Sequence, residues 1–456
     1  MTNARKQNQR PIAINSLDQI NLNAAGIDIG AEEIWVCVPA ERDAAPIRRF
    51  ETFTDDLHQV ADWLLRCEIT TVAMESTGIY WVALYEILEA CGLTVCLVNA
   101  QATKNVSGRK SDVLDCQWLQ QLHTYGLLAA SFRPPADICT LRTYVRQRET
   151  LLQQRARQIQ HMQKALHLMN LKLTTVISDI TGLTGMQIIQ AILAGERDPH
   201  ILAQFRHPNC KRSAEEIAKA LTGNYQPEHL FALRQAVAAY DFFTTQLVEC
   251  DNQLAHHYAV FEPQVDLVAQ PLPAKTSRRQ GNQPDFDLRT FLYLTSGVDL
   301  TAVDGIDVLL AQDILAEIGT DMRPWKTEKH FASWLGLSPN NRSSAGKVKS
   351  RYTKKTNNRA NTAFRLAAQA VSRSQSALGA FYRRIKAKHG APVAITATAH
   401  KIARIVYHLL KDRTPYVDPG AYAYDEQQRQ RSLRSLSRLA KKLGFQLIPE
   451  AQPVVS

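Results

Sequence analysis

Residues 24–38 read Ala24-Ala-Gly-Ile-Asp-Ile-Gly-Ala-Glu-Glu-Ile-Trp-Val-Cys-Val38. Ala25–Ile29 and Ile34–Val38 are apolar runs of strand length, joined by a short turn at Gly30–Glu33. Asp28 stands inside the first run, where a charge is costly unless it is paired or bound to a metal. Working outward, Ile47–Phe53 reads as a third strand. Asp55–Cys67 has helical spacing at Leu57, Val60, Leu64 and Leu65. Thr71–Met74 is a short strand, Ile79–Ala90 a helix and Leu93–Val98 another strand. Ser111 is a suitable N-cap for a helix from Asp112 to about Tyr125, with Gly126 as its stop.

The resulting order, β-β-β-α-β-α-β-α, is that of the ribonuclease-H-like fold. In such a sheet the first strand is central, the fourth lies beside it, and the last helix packs across that edge. Asp28, Glu75, Asp112 and Asp115 would then converge, with the last two sharing a helix face. Hard divalent cations make such convergence stable, and two Mg²⁺ ions would clamp the attacking and leaving oxygens of a phosphodiester. Each acid also has a plainer role. Asp112 and Asp115 suit a helix N-terminus, Glu75 suits a cap, and Asp28 suits a turn. Their joint topological order is what favours a site. Gly26-Ile-Asp-Ile-Gly30 also resembles the first phosphate loop of actin-like sugar kinases, but no second Asp-Gly-Gly loop follows. A DEDD exonuclease would carry Asp-x-Glu on this strand, and position 30 is Gly.

After Pro134–Pro135 the pattern changes to long helix. Leu141, Val145, Leu152, Ile159, Met162, Leu166 and Met169 fall on three/four spacing, with Arg148 and Arg155 interrupting the seam. Leu233, Val237, Tyr240, Leu247, Leu254 and Tyr258 form a second such run. The two would pair within one chain or across an oligomer interface. Residues 176–225 read as short helices, and Pro263–Pro284 as a linker. Leu300–Gly319 reads as a hairpin of helices around Asp304–Ile306, a turn able to offer N–H groups to a phosphate. Ser338 to Asn358 reads as a loop with a basic segment. Helices follow at Ala360–Ser374, Ala377–Lys388 and Ile395–Lys411, and Asp425–Lys442 is a basic amphipathic helix.

The chain has 456 residues, 45% apolar and 21% charged, with a formal net charge of +11. Lys329 to Lys411 spans 83 residues with 17 Lys and Arg and no Asp or Glu, so this segment exceeds the net excess of the whole chain. Such one-signed charge points to a polyanion, and with the Ser/Asn/Thr content to nucleic acid. The eight cysteines form no C-x-x-C pair and suit a reducing compartment. The polar N-terminus lacks a signal-peptide core, and the longest apolar run is broken by Glu86 and Glu89. A cytoplasmic bacterial protein with no membrane partner is expected.

Four segments carry a family resemblance. They are Gly26-Ile-Asp-Ile-Gly30, Met74-Glu-Ser-Thr-Gly-Ile-Tyr80, Lys110-Ser-Asp-Val-Leu-Asp-Cys-Gln-Trp-Leu119 and Gly336-Leu-Ser-Pro-Asn-Asn-Arg-Ser-Ser-Ala-Gly-Lys347. Val303-Asp-Gly-Ile306 with Ala316-Glu-Ile-Gly319 adds a fifth. Together they resemble the DEDD transposases of the "IS one-ten" insertion-sequence family, in particular its "IS eleven-eleven" branch, over about residues 24–170 and 286–412. The resemblance implies a ribonuclease-H-like (RuvC-like) domain, a coiled-coil stalk and a mostly helical C-terminal transposase domain with a serine nucleophile. By the family's spacing that serine is Ser344, with Ser343 adjacent. It further implies donor and target DNA, a structured "bridge" RNA as guide, and a tetramer built as a dimer of dimers. In that assembly the carboxylates of one subunit meet the serine of another. Lys347, Lys349, Arg351, Lys354, Lys355 and Arg359 would hold phosphates and leave sequence choice to RNA pairing. Asp307 departs from the family, standing where a second hairpin glycine is common.

The expected division is a polar extension (1–23), the RuvC-like domain (24–133), a stalk (134–262) with an insert near 176–225, and a linker (263–285). The transposase domain (286–420) and a basic helical tail (421–456) follow. Two rivals stand beside the RNA-guided serine recombinase. One is a RuvC-like Holliday-junction endonuclease that hydrolyses with water. The other is a non-catalytic nucleic-acid-binding protein, against which the intact spacing of the four acids argues.

Overall fold

A computed structural model describes residues 18–76, 78–99, 112–274, 281–340, 342–344, 347–350, 352–354, 356 and 358–448. The side chains of 112–114, 342–344 and 347–350 fall outside this description, as does the expected cap Ser111. The chain divides into two compact units, Met1–Arg133 and Pro134–Ser456.

The first unit is a mixed α/β sheet. Its strands are β1 (Ala24–Ile29), β2 (Glu33–Cys37), β3 (Ile47–Glu51), β4 (Thr71–Glu75) and β5 (Thr94–Val98). Their order is β3-β2-β1-β4-β5. β1, β2 and β3 pair antiparallel, while β1–β4 and β4–β5 are parallel. Helices α1 (Thr54–Arg66), α2 (Trp81–Ala90) and α3 (Asp112–Thr124) complete the order read from periodicity, with small shifts at the ends.

Strand alternation decides what each face carries. Ala25, Ile27 and Ile29 of β1 are buried with Ile34 and Val36 of β2 and Val72 and Met74 of β4. Leu57, Val60 and Leu64 of α1 and Leu84 and Leu88 of α2 cover that face. Each such side chain contributes about 1.5–3 kcal/mol by leaving water. Asp55 and Asp56 in the first turn and Arg66 in the last suit the dipole of α1.

The second unit opens with α4 (Ala136–Leu168). The short helices α5 (Leu173–Val176), α6 (Leu183–Ala194), α7 (Pro199–Ala203) and α8 (Ala214–Leu221) follow, and then α9 (Pro227–Val260). α4 and α9 pair antiparallel within the chain. His257 Nε2 donates to the Asp137 carbonyl at 2.8 Å near one end, and Met162 and Leu166 share a core with Leu233 and Val237 near the other. Ile188, Ile189, Leu202, Ile217 and Leu221 of the insert close over that second end.

Arg148, which breaks the seam in sequence, is buried and bidentate with Asp251 of α9, at 2.5 and 3.3 Å. Removing one partner leaves the other charge buried and unmatched. Asp251→Ala is therefore expected to cost about 3–5 kcal/mol in denaturant unfolding. Arg148→Met with Asp251→Leu recovers most of that loss, because an apolar pair of similar volume suits the same place.

The chain continues through α10 (Leu288–Ser296), a 3₁₀ turn (Leu300–Ala302), α11 (Val308–Ile318) and α12 (Glu328–Trp334). The hairpin strands β6 (Arg342–Ser344) and β7 (Lys347–Ser350) precede α13 (Arg359–Ala370), α14 (Ala377–His389), α15 (Ala391–Asp412) and α16 (Gly420–Lys442). Trp325, Phe331, Phe364 and Tyr407 form its aromatic centre, with Trp325 and Phe331 rings 4.9 Å apart.

Two expectations change here. The first arm of the expected Leu300–Gly319 helical hairpin is a single 3₁₀ turn, because Asp299 and Asp307 each cap a new start. One N–H group of its turn is engaged within the chain. Ile306 N–H donates to the Val303 carbonyl at 3.0 Å. Gly305, at φ +88°, is pressed so close to α13 that a Cβ would lie 2.4 Å from the Ala367 carbonyl oxygen. The second change is that the expected Ser338–Asn358 loop contains an antiparallel hairpin. Its polar residues show no apolar alternation, so only backbone pairing reveals it. Among the described residues no helix is long and apolar enough to cross a membrane.

Candidate active site

Gly26 fixes how α3 lies on the sheet. A Cβ there would stand 2.2 Å from the Cys116 carbonyl oxygen and 2.3 Å from the Gln120 nitrogen. Only a residue without a side chain lets helix backbone approach strand backbone so closely. At the far end of α3, Gln120 Nε2 donates to the Ala24 carbonyl at 3.4 Å, and His123 bonds Thr71 Oγ1 at 2.9 Å. Ala24 and Thr71 begin β1 and β4. α3 therefore runs against these strands and brings its N-terminal turn to their C-terminal ends. Gly26→Ala is expected to cost at least about 1–3 kcal/mol in thermal unfolding and to displace that turn.

Asp28 and Glu75 sit at those strand ends. Ile27 pairs with Met74 in parallel register, so Asp28 and Glu75 are the next neighbours, on strands about 4.8 Å apart. Ile27 and Met74 belong to the core of one face, which puts Asp28 and Glu75 on the other, with Gly26 and α3. Both acids are half-buried. Asp112 opens α3 and Asp115 lies one turn on, exposed; the Asp112 side chain lies outside the described residues. The structure thus brings the backbone positions of all four acids to one end of one sheet face. Among the described residues no group of three or more His, Cys, Asp or Glu side chains stands close enough to hold a metal ion. The donor set, carboxylate oxygens only, is of the type that suits Mg²⁺ and other hard cations.

Three neighbours of this cluster were not singled out in sequence. Trp35 lies opposite Asp28 on β2. Cys37 and Cys116 are buried in contact between β2 and α3. The Cys37 contact, burial and the Asp28 carboxylate all push the Cys116 thiol up, so it stays protonated beside the acids. In sequence Cys116 is marked only by its place directly after Asp115, in Asp115-Cys-Gln-Trp118.

Ser343 and Ser344 lie in the second unit, on β6. Ser344 pairs with Lys347, and Ser343 with Val348. The base of the hairpin is tied by a Pro339–Thr353 bridge and by Asn340 N–H donating to the Tyr352 carbonyl at 3.0 Å. Buried Asn361 of α13 donates to the Leu335 carbonyl at 2.7 Å. Gly336, at φ +72°, allows the close pass beside Thr356, whose Cγ2 a Cβ would meet at 2.8 Å. Of the expected phosphate contacts, Lys347 and Lys349 are on β7 with side chains outside the described residues, as are Arg351 and Lys355 entirely. Lys354 is exposed. Arg359 is ion-paired with Glu149 of α4, so its charge is already met within the chain.

Comparison with known families adds two matches. A DEDD transposase family of the IS110 group matches residues 25–170, and the transposase IS116/IS110/IS902 family matches residues 299–383. The first match spans the sheet, α3 and the whole of α4; the second spans α11 to the first half of α14, hairpin included. No curated protein matches the chain. The chain is a DEDD transposase of the IS116/IS110/IS902 family, an enzyme that acts on DNA.

Proposed function

We propose that this transposase cleaves and rejoins donor and target DNA strands through a serine-linked phosphodiester, under the guidance of a structured RNA. The observation that carries the catalytic half is the register of Asp28 with Glu75 beneath the N-terminal turn of α3, which bears Asp112 and Asp115. Like charges so placed repel, and a site that gathers them is suited to a divalent cation. Asp28, Glu75, Asp112 and Asp115 would hold Mg²⁺, two ions per site. When bound, the metal supplies charge neutralisation at the scissile phosphate.

Ser344 Oγ attacks the phosphorus. The Oγ–P bond forms, the strand's P–O bond breaks, and the freed sugar oxygen takes up a proton as the serine loses one. A second strand's hydroxyl then displaces the serine and regenerates it. Each step exchanges one phosphodiester for another, so no nucleotide energy source is required. Lys347, Lys349, Arg351, Lys354 and Lys355 follow the serine closely and suit backbone phosphates.

RNA guidance and the tetramer rest on the motif resemblance. In that assembly the carboxylates of one subunit act with the serine of another. Within the second unit, α4 and α9 serve as the stalk and residues 286–420 as the serine-bearing domain. The enzyme works on DNA in the bacterial cytoplasm. Two measurements test the reading. Denaturing gels of stalled reactions should show DNA covalently attached to the protein; free ends alone would favour the hydrolytic junction nuclease. RNA co-purified from the native host should contain complements to the DNA flanking the element, and its absence would remove the guide.

A further inference from the structure

The C-terminal end of α15 borders a cavity of about 570 Å³. Its floor is apolar: Trp325, Tyr407 and Leu410 are buried, and the Tyr407 hydroxyl donates to the Trp325 carbonyl at 2.9 Å. Its rim is cationic. Lys326, Lys411 and Arg413 line it and are exposed. Among the described residues none of the three is ion-paired with a carboxylate. Arg323 also lines it but is held by Asp321 at 2.9 Å. Asp321 lines the hollow too, as the partner of Arg323, so the excess charge on the rim is positive, and apolar walls concentrate that field on whatever enters.

Arg413 has a second distinction. It ends α15 at φ 50° and ψ 39°, the left-handed conformation, with its N–H donating to the Leu409 carbonyl at 2.9 Å. Glycine is the usual residue there, and Gly195 and Gly297 close α6 and α10 in this conformation. An arginine takes that place here, as Glu68 and Asn170 take left-handed positions elsewhere, and its charge stands on the rim of a hollow that already holds two lysines without carboxylate partners.

We propose that this hollow is a phosphate-binding subsite for a nucleic-acid backbone, with Lys326, Lys411 and Arg413 as its ligands. It rests on the reading of the chain as a DNA transposase and adds a contact remote in sequence from the hairpin lysines. Lys411 and Arg413 lie beyond the residues of either family match. The phosphodiester is common to DNA and RNA. The arginine fork suits two oxygens of one phosphate, while the lysines act as point charges.

The test is fluorescence anisotropy of the full chain on a mixed-sequence DNA duplex and on a structured RNA, over a range of KCl. Lys326→Gln, Lys411→Gln and Arg413→Gly are each expected to weaken binding and to lower the salt slope by about one. Loss on DNA alone assigns the subsite to donor or target; loss on RNA alone assigns it to the guide. Arg413→Gly is also expected to melt at the same or a higher temperature, because glycine relaxes the backbone. A lower melting temperature with unchanged binding would make Arg413 structural and overturn the proposal. So would unchanged affinity and slope in all three variants, which would leave the transposase reading intact. A wild-type chain that bound neither polymer would instead defeat the nucleic-acid reading itself.

Discussion

Ser344→Ala is expected to abolish the covalent protein–DNA adduct and to lower strand joining by roughly 10⁴-fold or more, the scale seen when a nucleophilic hydroxyl is removed. Ser343→Ala is expected to keep the adduct. Ser344 pairs with Lys347, while Ser343 pairs with Val348 one step nearer the base. The hairpin is anchored below both by the Pro339–Thr353 bridge and by the Asn340 N–H on the Tyr352 carbonyl. Exchange of either hydroxyl should therefore leave the stability within about 0.5 kcal/mol of wild type. The adduct is read on denaturing gels after incubation with end-labelled DNA. Undiminished cleavage to free ends in Ser344→Ala sinks the serine mechanism and leaves the hydrolytic nuclease. Loss confined to Ser343→Ala moves the nucleophile by one residue.

The second large effect belongs to Asp28. Asp28→Asn is expected to lower cleavage by roughly 10²- to 10⁴-fold, the several kcal/mol that a metal-held phosphate provides. Its effect on stability should run the other way. Asp28 is half-buried in an otherwise apolar strand, in register with Glu75 and close to the N-terminal acids of α3. Removing one of several gathered negative charges relieves repulsion, so the melting temperature should stay level or rise. A residue kept for structure would show the opposite pair of results. Chelation of wild-type protein should also stop cleavage, and added Mg²⁺ should restore it. Full activity of Asp28→Asn, or activity indifferent to chelation, would remove the carboxylate cluster from the mechanism.

The first unit was largely legible because its elements are short and locally coded. Apolar runs of strand length at Ala25–Ile29 and Ile34–Val38, and three/four spacing in Asp55–Cys67, name strands and helix without reference to anything distant. The β6–β7 hairpin was not legible. Arg342 to Ser350 has two apolar residues, Ala345 and Val348, three apart, and no pattern of period two. Its pairing is a backbone matter held at the base by Pro339, Thr353 and Asn340. The arm at Leu300–Ala302 was read as too long because apolar content continues through a turn that two aspartate caps in fact interrupt.

By itself the sequence determined the order β-β-β-α-β-α-β-α, the four acids in that order, and the acid-free basic segment from Lys329 to Lys411. Tertiary structure alone decided four things. α3 runs against β1 because Gly26 admits it. α4 and α9 pair within one chain, with Arg148 meeting Asp251. The polar stretch around Ser344 is a hairpin. Lys326, Lys411 and Arg413 share one hollow. The physical reason is common to all four. Periodicity and capping act between near neighbours, whereas each of these depends on contact between residues far apart in the chain, whose complementarity no local pattern records.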